Sequence, residues 1–327
     1  MQRYPHLAKI LEAARNFPPL TVAVVLPVEK TALAGAVEAA RSGLVRPILV
    51  GPRAGIASAA RDGDSDISEL EIVECPAEPR AAAQSAVELC LAGRAEALMK
   101  GALHTDELMR AVLASGLRTL RRMSHVLVID IPGFPRPLIV SDAAINLAPD
   151  VEAKLHIVQN AVDLAQAIGI GVPRVALLCA VETVNPKVPS TVDAARLKQI
   201  ALRGGVSGAI VDGPFALDIA LSEEAASIKG VQSQVAGRAD VLIAPGLESG
   251  NFLYKMAVYT AHAEAAGIVL GARVPIILTS RASSVTSRIA SSALALLYTR
   301  RVSQARRAGE PAVHADQVGG PAVQPAH

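Results

Sequence analysis

The chain has 327 residues, 51% of them hydrophobic, which is enough for a substantial core in one or two domains. Its 32 basic and 30 acidic residues leave a net charge of +2, which offers no general field for nucleic acid or for a membrane surface. Aromatic residues make up 2% and tryptophan is absent, so stacking platforms for single-stranded nucleic acid are not expected. An anionic substrate would have to be held by local lysines and arginines.

In chain order, residues 1–17 read as an amphipathic helix without the apolar run of a signal peptide. Strands are predicted at 21–26, 47–50, 70–73 and 96–99, alternating with helices at 29–42, 80–92 and 106–114. The polar, glycine-containing stretch 53–70 reads as a surface connection. Apolar runs at 126–131 and 137–140 flank Pro132-Gly133-Phe134-Pro135, turn chemistry that suits an antiparallel pair. Segment 150–168 carries Leu155, Val158, Val162 and Ala165 on one helical face, with Gly169 placed to stop it. Further strands are predicted at 174–178, 208–211, 241–243 and 275–278, and helices at 192–203, 252–266 and 285–300.

Repeated strand–helix units with nearly all-apolar strands predict an α/β fold with mainly parallel sheets flanked by helices. The strands are too many for one comfortable sheet, which favours two lobes. From Val302 onward the sequence loses periodicity, so 302–327 is expected to form a flexible tail. No run reaches the ~18 apolar residues of a membrane span. Three cysteines (Cys75, Cys90, Cys179) lack metal-ligand spacing and suit a reducing, cytoplasmic setting.

Ligands of open α/β sheets bind beyond the carboxyl ends of strands, so the residues that follow each strand carry the functional expectations. After 96–99 comes Lys100-Gly101-Ala102-Leu103-His104-Thr105. Lysine adds charge, Gly101 lets backbone amides approach a ligand, and Thr105 is placed to cap the next helix. After 208–211 comes Asp212-Gly213-Pro214, a rigid turn whose carboxylate suits either a ligand hydroxyl or a cap. After 241–243 comes a glycine-bearing turn ending in Gly250 and Asn251, with Lys255 one helical turn further on. After 275–278 comes Thr279-Ser280-Arg281, a hydroxyl and a planar cationic fork suited to phosphate and to a developing oxyanion.

These segments, in this order, resemble the phosphate acetyl/butyryltransferase family across roughly residues 20–299. The resemblance implies two lobes of the isocitrate/isopropylmalate dehydrogenase-like kind, with the active site in the cleft between them. Lobe I would comprise 1–140 plus 272–301, and lobe II 141–271. It implies reversible transfer of a short acyl group between coenzyme A, a substrate and not a tightly bound cofactor, and inorganic phosphate, without a metal. Ser280 and Arg281 would be catalytic. Lys100, Gly101, Thr105, Asp212, Gly213, Gly250, Asn251 and Lys255 would bind substrates. A homodimer or larger homo-oligomer is also implied.

One departure stands out. Acetyltransferase members are expected to carry an aspartate shortly after the Ser-Arg pair as thiol base, whereas residues 282–288 here hold no carboxylate. That leans toward the butyryl branch and leaves Asp142 and Glu182 as substitutes by chemistry alone. Rival readings are a non-catalytic CoA- or acyl-phosphate-binding homologue and a dehydrogenase of the related fold. The dehydrogenase lacks the aspartate cluster its metal would need.

Overall fold

The computed structural model describes residues 3–278 and 283–308. The first half of the chain runs α1 (Pro5–Ala14), β1 (Leu20–Val25), α2 (Lys30–Arg41), β2 (Val45–Val50), α3 (Arg53–Asp62), β3 (Glu71–Val73), α4 (Pro79–Leu91), β4 (Ala97–Lys100), α5 (Thr105–Leu113), β5 (Ser124–Asp130) and β6 (Leu138–Ser141). There follow α6 (Val151–Ala167), β7 (Arg174–Leu178), α7 (Pro189–Ile200), β8 (Ile210–Phe215), α8 (Leu217–Leu221), α9 (Glu223–Ile228), β9 (Val241–Ile243), α10 (Leu247–Thr260), β10 (Glu264–Leu270), β11 (Ile276–Ile277) and α11 (Val285–Arg307).

The eleven strands among the described residues join one sheet, in the order β3-β2-β1-β4-β11-β10-β5-β6-β9-β7-β8. The sheet contains two parallel groups. Strands β3, β2, β1, β4 and β11 run one way, and β6, β9, β7 and β8 run the other. Antiparallel pairings of β10 with β11 and β5, and of β5 with β6, splice the groups together. The mainly parallel, helix-flanked architecture is as expected. The separation into two sheets is not: β10 and β5, each seven residues long and almost wholly buried, bridge what would otherwise be two edges.

One face of the sheet is covered continuously, by α1, α2, α3, α6, α7 and α11 over a single apolar cluster. The other face carries two separate clusters, one under α4 and α5 and one under α8 and α9. Along β5 the side chains alternate between these layers, with Val126 and Val128 on the continuous face and Leu127 and Ile129 on the divided one.

Several expectations are corrected. Stretch 53–70 contains α3, held by buried Ile56, Ala59 and Ala60. The helix expected to reach 266 ends at Thr260, and Glu264–Leu270 is the central strand β10, whose alanines and glycine hide its strand character in sequence. Residues 302–307, expected in the tail, continue α11, with Ala305 buried and Val302 in the core to which α1 contributes. The expected helix 150–168 is α6, capped by Asp150, which accepts a hydrogen bond from Ala153 N at 2.8 Å, and followed by Gly169 at φ +98°. The antiparallel pair around Pro132-Gly133-Phe134-Pro135 is β5–β6.

Candidate active site

Strand register defines the level at which the carboxyl ends meet. Met99 pairs with Ile277, Ile277 with Ile268, and Ile268 with Val126. On the other side Leu127 pairs with Val140, and the next residue of β6, Ser141, pairs with Ile243. Strands β4 and β11 therefore reach this row from one direction, and β6 and β9 end on it from the other. Three strand spacings separate β11 from β6, about 14 Å at ~4.8 Å each. This belt, crossed by β10 and β5, is where the parallel groups present their carboxyl ends to each other, the placement favoured for ligands in α/β sheets.

Lys100 closes β4 beside the end of β11. Its Nζ donates to the carbonyls of Gly101 (3.3 Å) and Leu103 (3.2 Å). Gly101 has a steric reason to be glycine: a Cβ there would lie 2.2 Å from the Val25 carbonyl oxygen. Its amide donates to that same oxygen at 3.0 Å, and Ala102 N donates to Leu26 O at 2.9 Å. These amides hold the turn against β1 and are not available to a ligand, contrary to the expectation for Gly101. Thr105 is the first residue of α5, and the cap position belongs to His104, whose N–H donates to Glu107 Oε2 at 2.9 Å. Thr279, Ser280, Arg281 and Ala282 lie outside the described residues. The helix that follows them is pinned to β10 by serines. Ser284 Oγ donates to Glu264 Oε2 (2.8 Å), Ser287 Oγ to Ala265 O (2.5 Å), and Gly267 N to Ser291 Oγ (3.0 Å).

Across the belt, Gly250 and Asn251 lie inside α10, which begins at Leu247 and not after residue 251. Gly250 N is used within the helix, bonding Gly246 O at 3.2 Å, so it does not face an anion as expected. A Cβ on Gly250 would stand 2.2 Å from Asp142 O, and Asn251 Nδ2 donates to Ala143 O at 3.1 Å. Both residues seat α10 on the loop after β6. Lys255 is exposed on the outer side of α10.

Asp212 and Gly213 lie within β8, not in a turn beyond it, because a bulge carries the strand through to Phe215. Asp212 forms an ion pair with Lys198 (2.5 Å) and accepts from Ser233 Oγ (2.5 Å) and Gly213 N (2.8 Å). Gly213, at φ +151°, has no room for a Cβ beside Leu177. Strand β8 is the sheet edge, seven spacings or about 34 Å from β4, so Asp212 and Lys100 are not brought together.

Asp142 is no substitute base. It is buried, and its carboxylate accepts from the amides of His125 (3.1 Å), Ala144 (3.1 Å), Ile145 (3.2 Å) and Asn146 (2.9 Å), and from Asn146 Nδ2 (2.5 Å). Glu182 pairs loosely with Lys229 at 3.8 Å. Beneath the belt lies the His125 ring, accommodated by Gly267, where a Cβ would come within 2.6 Å of Nε2. Burial pushes its pKa down to about 4, with the Asp142 charge opposing, so the imidazole is neutral at pH 7.

A cavity of about 500 Å³ opens below the belt, between the α5–β5 connection and the loop leading into α6. Arg118, Arg121 and Arg122 enter its wall from one side, and Asn146, Asp150 and His156 from the other. Arg121 is committed to a buried ion pair with Asp163, whereas Arg118 and Arg122 are exposed. His156 Nδ1 accepts from Arg122 N at 2.9 Å, which leaves the proton of the neutral ring on Nε2. Burial and then the neighbouring arginines hold its pKa down. Sequence alone does not single out these groups. The available signal was three arginines within five residues, 118–122, in a stretch without periodicity.

The chain is similar to known proteins over most of its length. The model of the family described as "Phosphate acetyl/butaryl transferase" matches residues 79–296. A phosphate acetyltransferase of Rhizobium meliloti is 53% identical over 306 residues, covering 93% of this chain and 95% of that protein. A phosphate butyryltransferase of Clostridium acetobutylicum is 45% identical, covering 84% and 92%. The first figure exceeds the second, so overall identity does not follow the butyryl lean drawn from residues 282–288. A branched-chain phosphotransacylase from Enterococcus faecalis superposes with a TM-score of 0.74 at 31% identity, covering 86% of this chain and 99% of that one. The chain belongs to the phosphate acetyl/butyryltransferase family.

Proposed function

We propose that the protein transfers a short acyl group, from acetyl to butyryl, reversibly between coenzyme A and inorganic phosphate. The observation that carries this reading is the belt: the carboxyl ends of two opposed parallel strand groups reach one row, with a cationic cavity beside it. In the direction of acyl-CoA synthesis, the thiolate sulfur attacks the acyl carbonyl, a carbon–sulfur bond forms, and the carbon–oxygen bond to phosphate breaks. No covalent enzyme intermediate is required. The protein has to hold two anions, stabilise the tetrahedral oxyanion and favour the thiolate, whose thiol has an ordinary pKa of about 8.5.

Lys100, Ser280 and Arg281 supply the polar and cationic groups for the phosphate and the oxyanion. Arg118 and Arg122 receive the phosphates of coenzyme A in the cavity below. The two halves of the sheet act as the two lobes, and a dimeric cytoplasmic enzyme without a tightly bound cofactor is the working form. Gly101, Gly250 and Asn251 serve by shaping the walls, through the close approaches that their neighbours require.

The test is release of free thiol from acyl-CoA of two to six carbons on addition of phosphate. Arg281→Ala should lower turnover more than tenfold if the guanidinium stabilises the transition state. The double substitution Arg118→Ala with Arg122→Ala should raise KM for acyl-CoA roughly tenfold while leaving KM for phosphate near its original value. Equal effects on both substrates would remove the cavity from the CoA site.

A further inference from the structure

Helix α6 carries two kinds of face. Ile157, Val158, Ala161 and Val162 belong to the apolar core, whereas His156, Asn160 and Asp163 follow the i, i+4, i+7 spacing of one polar stripe. Each member of the stripe holds a different group of one dipeptide, Arg121-Arg122. His156 Nδ1 accepts from the Arg122 amide at 2.9 Å, and Asn160 Nδ2 donates to the Arg122 carbonyl at 3.0 Å. Asp163 pairs with the Arg121 guanidinium, and Gln159 Nε2 donates to the other carboxylate oxygen at 2.9 Å. Thr119 adds a further hold: its Oγ1 accepts from Arg121 N at 3.0 Å and donates to Gly271 O at 2.5 Å. Residues 114–123 form neither helix nor strand, so these bonds give the segment its shape.

Stability alone does not call for this arrangement. Arg121 and Asp163 are 8% and 4% exposed, and a buried ion pair is commonly no more stable than apolar residues of the same volume. What the stripe fixes is the division of labour between two adjacent cations. Arg121 is taken into the interior. Arg122, held at both its amide and its carbonyl, stays exposed at the cavity wall. We infer that His156, Asn160 and Asp163 are positioning residues for Arg122, presetting its guanidinium for an anionic ligand; this rests on the reading of the cavity as the site of the coenzyme A phosphates. A guanidinium mounted on a fixed backbone loses less freedom on binding than one on a loose connection. Asn160 and Asp163 do not line the cavity, so they act only through the arginine segment. His156 does line it, so its bond to the Arg122 amide has to be separated from any direct effect of the ring on the ligand.

The test measures KM for acyl-CoA and for phosphate separately on the full chain, beside the thermal unfolding midpoint. Arg121→Met combined with Asp163→Leu removes the ion pair without leaving a buried charge unpaired. It should raise KM for acyl-CoA about fivefold and leave kcat and KM for phosphate near their original values. His156→Leu should act in the same way. His156→Asn, whose Oδ1 can stand where Nδ1 stood, should restore KM for acyl-CoA although it lacks the Nε2 proton. The His156 variants, at a half-buried position, decide the matter if the core variant does not fold. A cycle with Arg122→Ala separates positioning from direct contact. Once Arg122 is gone, none of these changes should raise KM for acyl-CoA further. Full additivity with Arg122→Ala would overturn the positioning role, as would equal effects on the two substrates. A normal KM for acyl-CoA in the stripe variants beside a raised one in Arg122→Ala would remove the positioning role and leave the cavity reading standing. A normal KM for acyl-CoA in Arg122→Ala itself would remove both.

Discussion

The end of β4 and the middle of β8 look alike in sequence: an apolar strand, a charged residue, a glycine. In the structure they differ in where sheet order puts the charge. Asp212 sits on the edge strand and is consumed by Lys198, Ser233 and the Gly213 amide. Lys100 sits beside β11 near the middle of the sheet, at the row where opposed strand groups end. In the proposed reading, a charged strand end joins a site when sheet order places it against another strand end. On an edge strand the same residue types fasten the fold, here holding α7 and the 231–236 loop to β8.

Asp142 extends the contrast, because it lies on the belt and is still structural. Asp142→Ala would leave four backbone amides and the Asn146 side chain without their acceptor, and should cost about 4 kcal/mol in a denaturant titration. Normal stability in that variant would return Asp142 to the list of candidate bases. Lys100→Met should act the other way round, lowering kcat/KM roughly a hundredfold with little change in unfolding midpoint. Asp212→Asn should cost only about 1 kcal/mol of stability, since Lys198 is partly exposed, and should spare turnover relative to Lys100→Met. If the Asp212 variant were the more damaged catalyst, the contrast between edge and belt would be reversed.

The buried imidazole gives a pH signature. The folded pKa of His125, about 4, lies below the ordinary value of 6.5, so the unfolded chain binds the extra proton across that window. Stability should therefore be lost as pH falls from about 6.5 toward 4, with a contribution of at most about 1.4 kcal/mol per pH unit from this one group. His125→Gln should flatten that part of the profile. An unchanged slope would assign it to other groups.

Much of this was legible in sequence. The 3-4-3 spacing of Leu155, Val158, Val162 and Ala165 marked α6, and the Pro-Gly-Phe-Pro turn marked the β5–β6 pair, because both are local signals. The single sheet was not legible, because it depends on β10. That strand reads Glu-Ala-Ala-Gly-Ile-Val-Leu and pairs with residues about 140 positions earlier. In sequence Pro245-Gly246 suggests a longer turn, but α10 begins at Leu247, which puts Gly250 and Asn251 in the helix. The arginines at 118, 121 and 122 carried no period and acquired meaning only when the fold set them against the amino end of α6.

The central claim is acyl exchange between coenzyme A and phosphate at the belt. Its most direct test is the rate of CoA thiol release from acyl-CoA as phosphate is varied, across chain lengths from two to six carbons. Release should be absent without phosphate, saturate with both substrates and collapse in Lys100→Met and Arg281→Ala. No phosphate-dependent release at any chain length would contradict it.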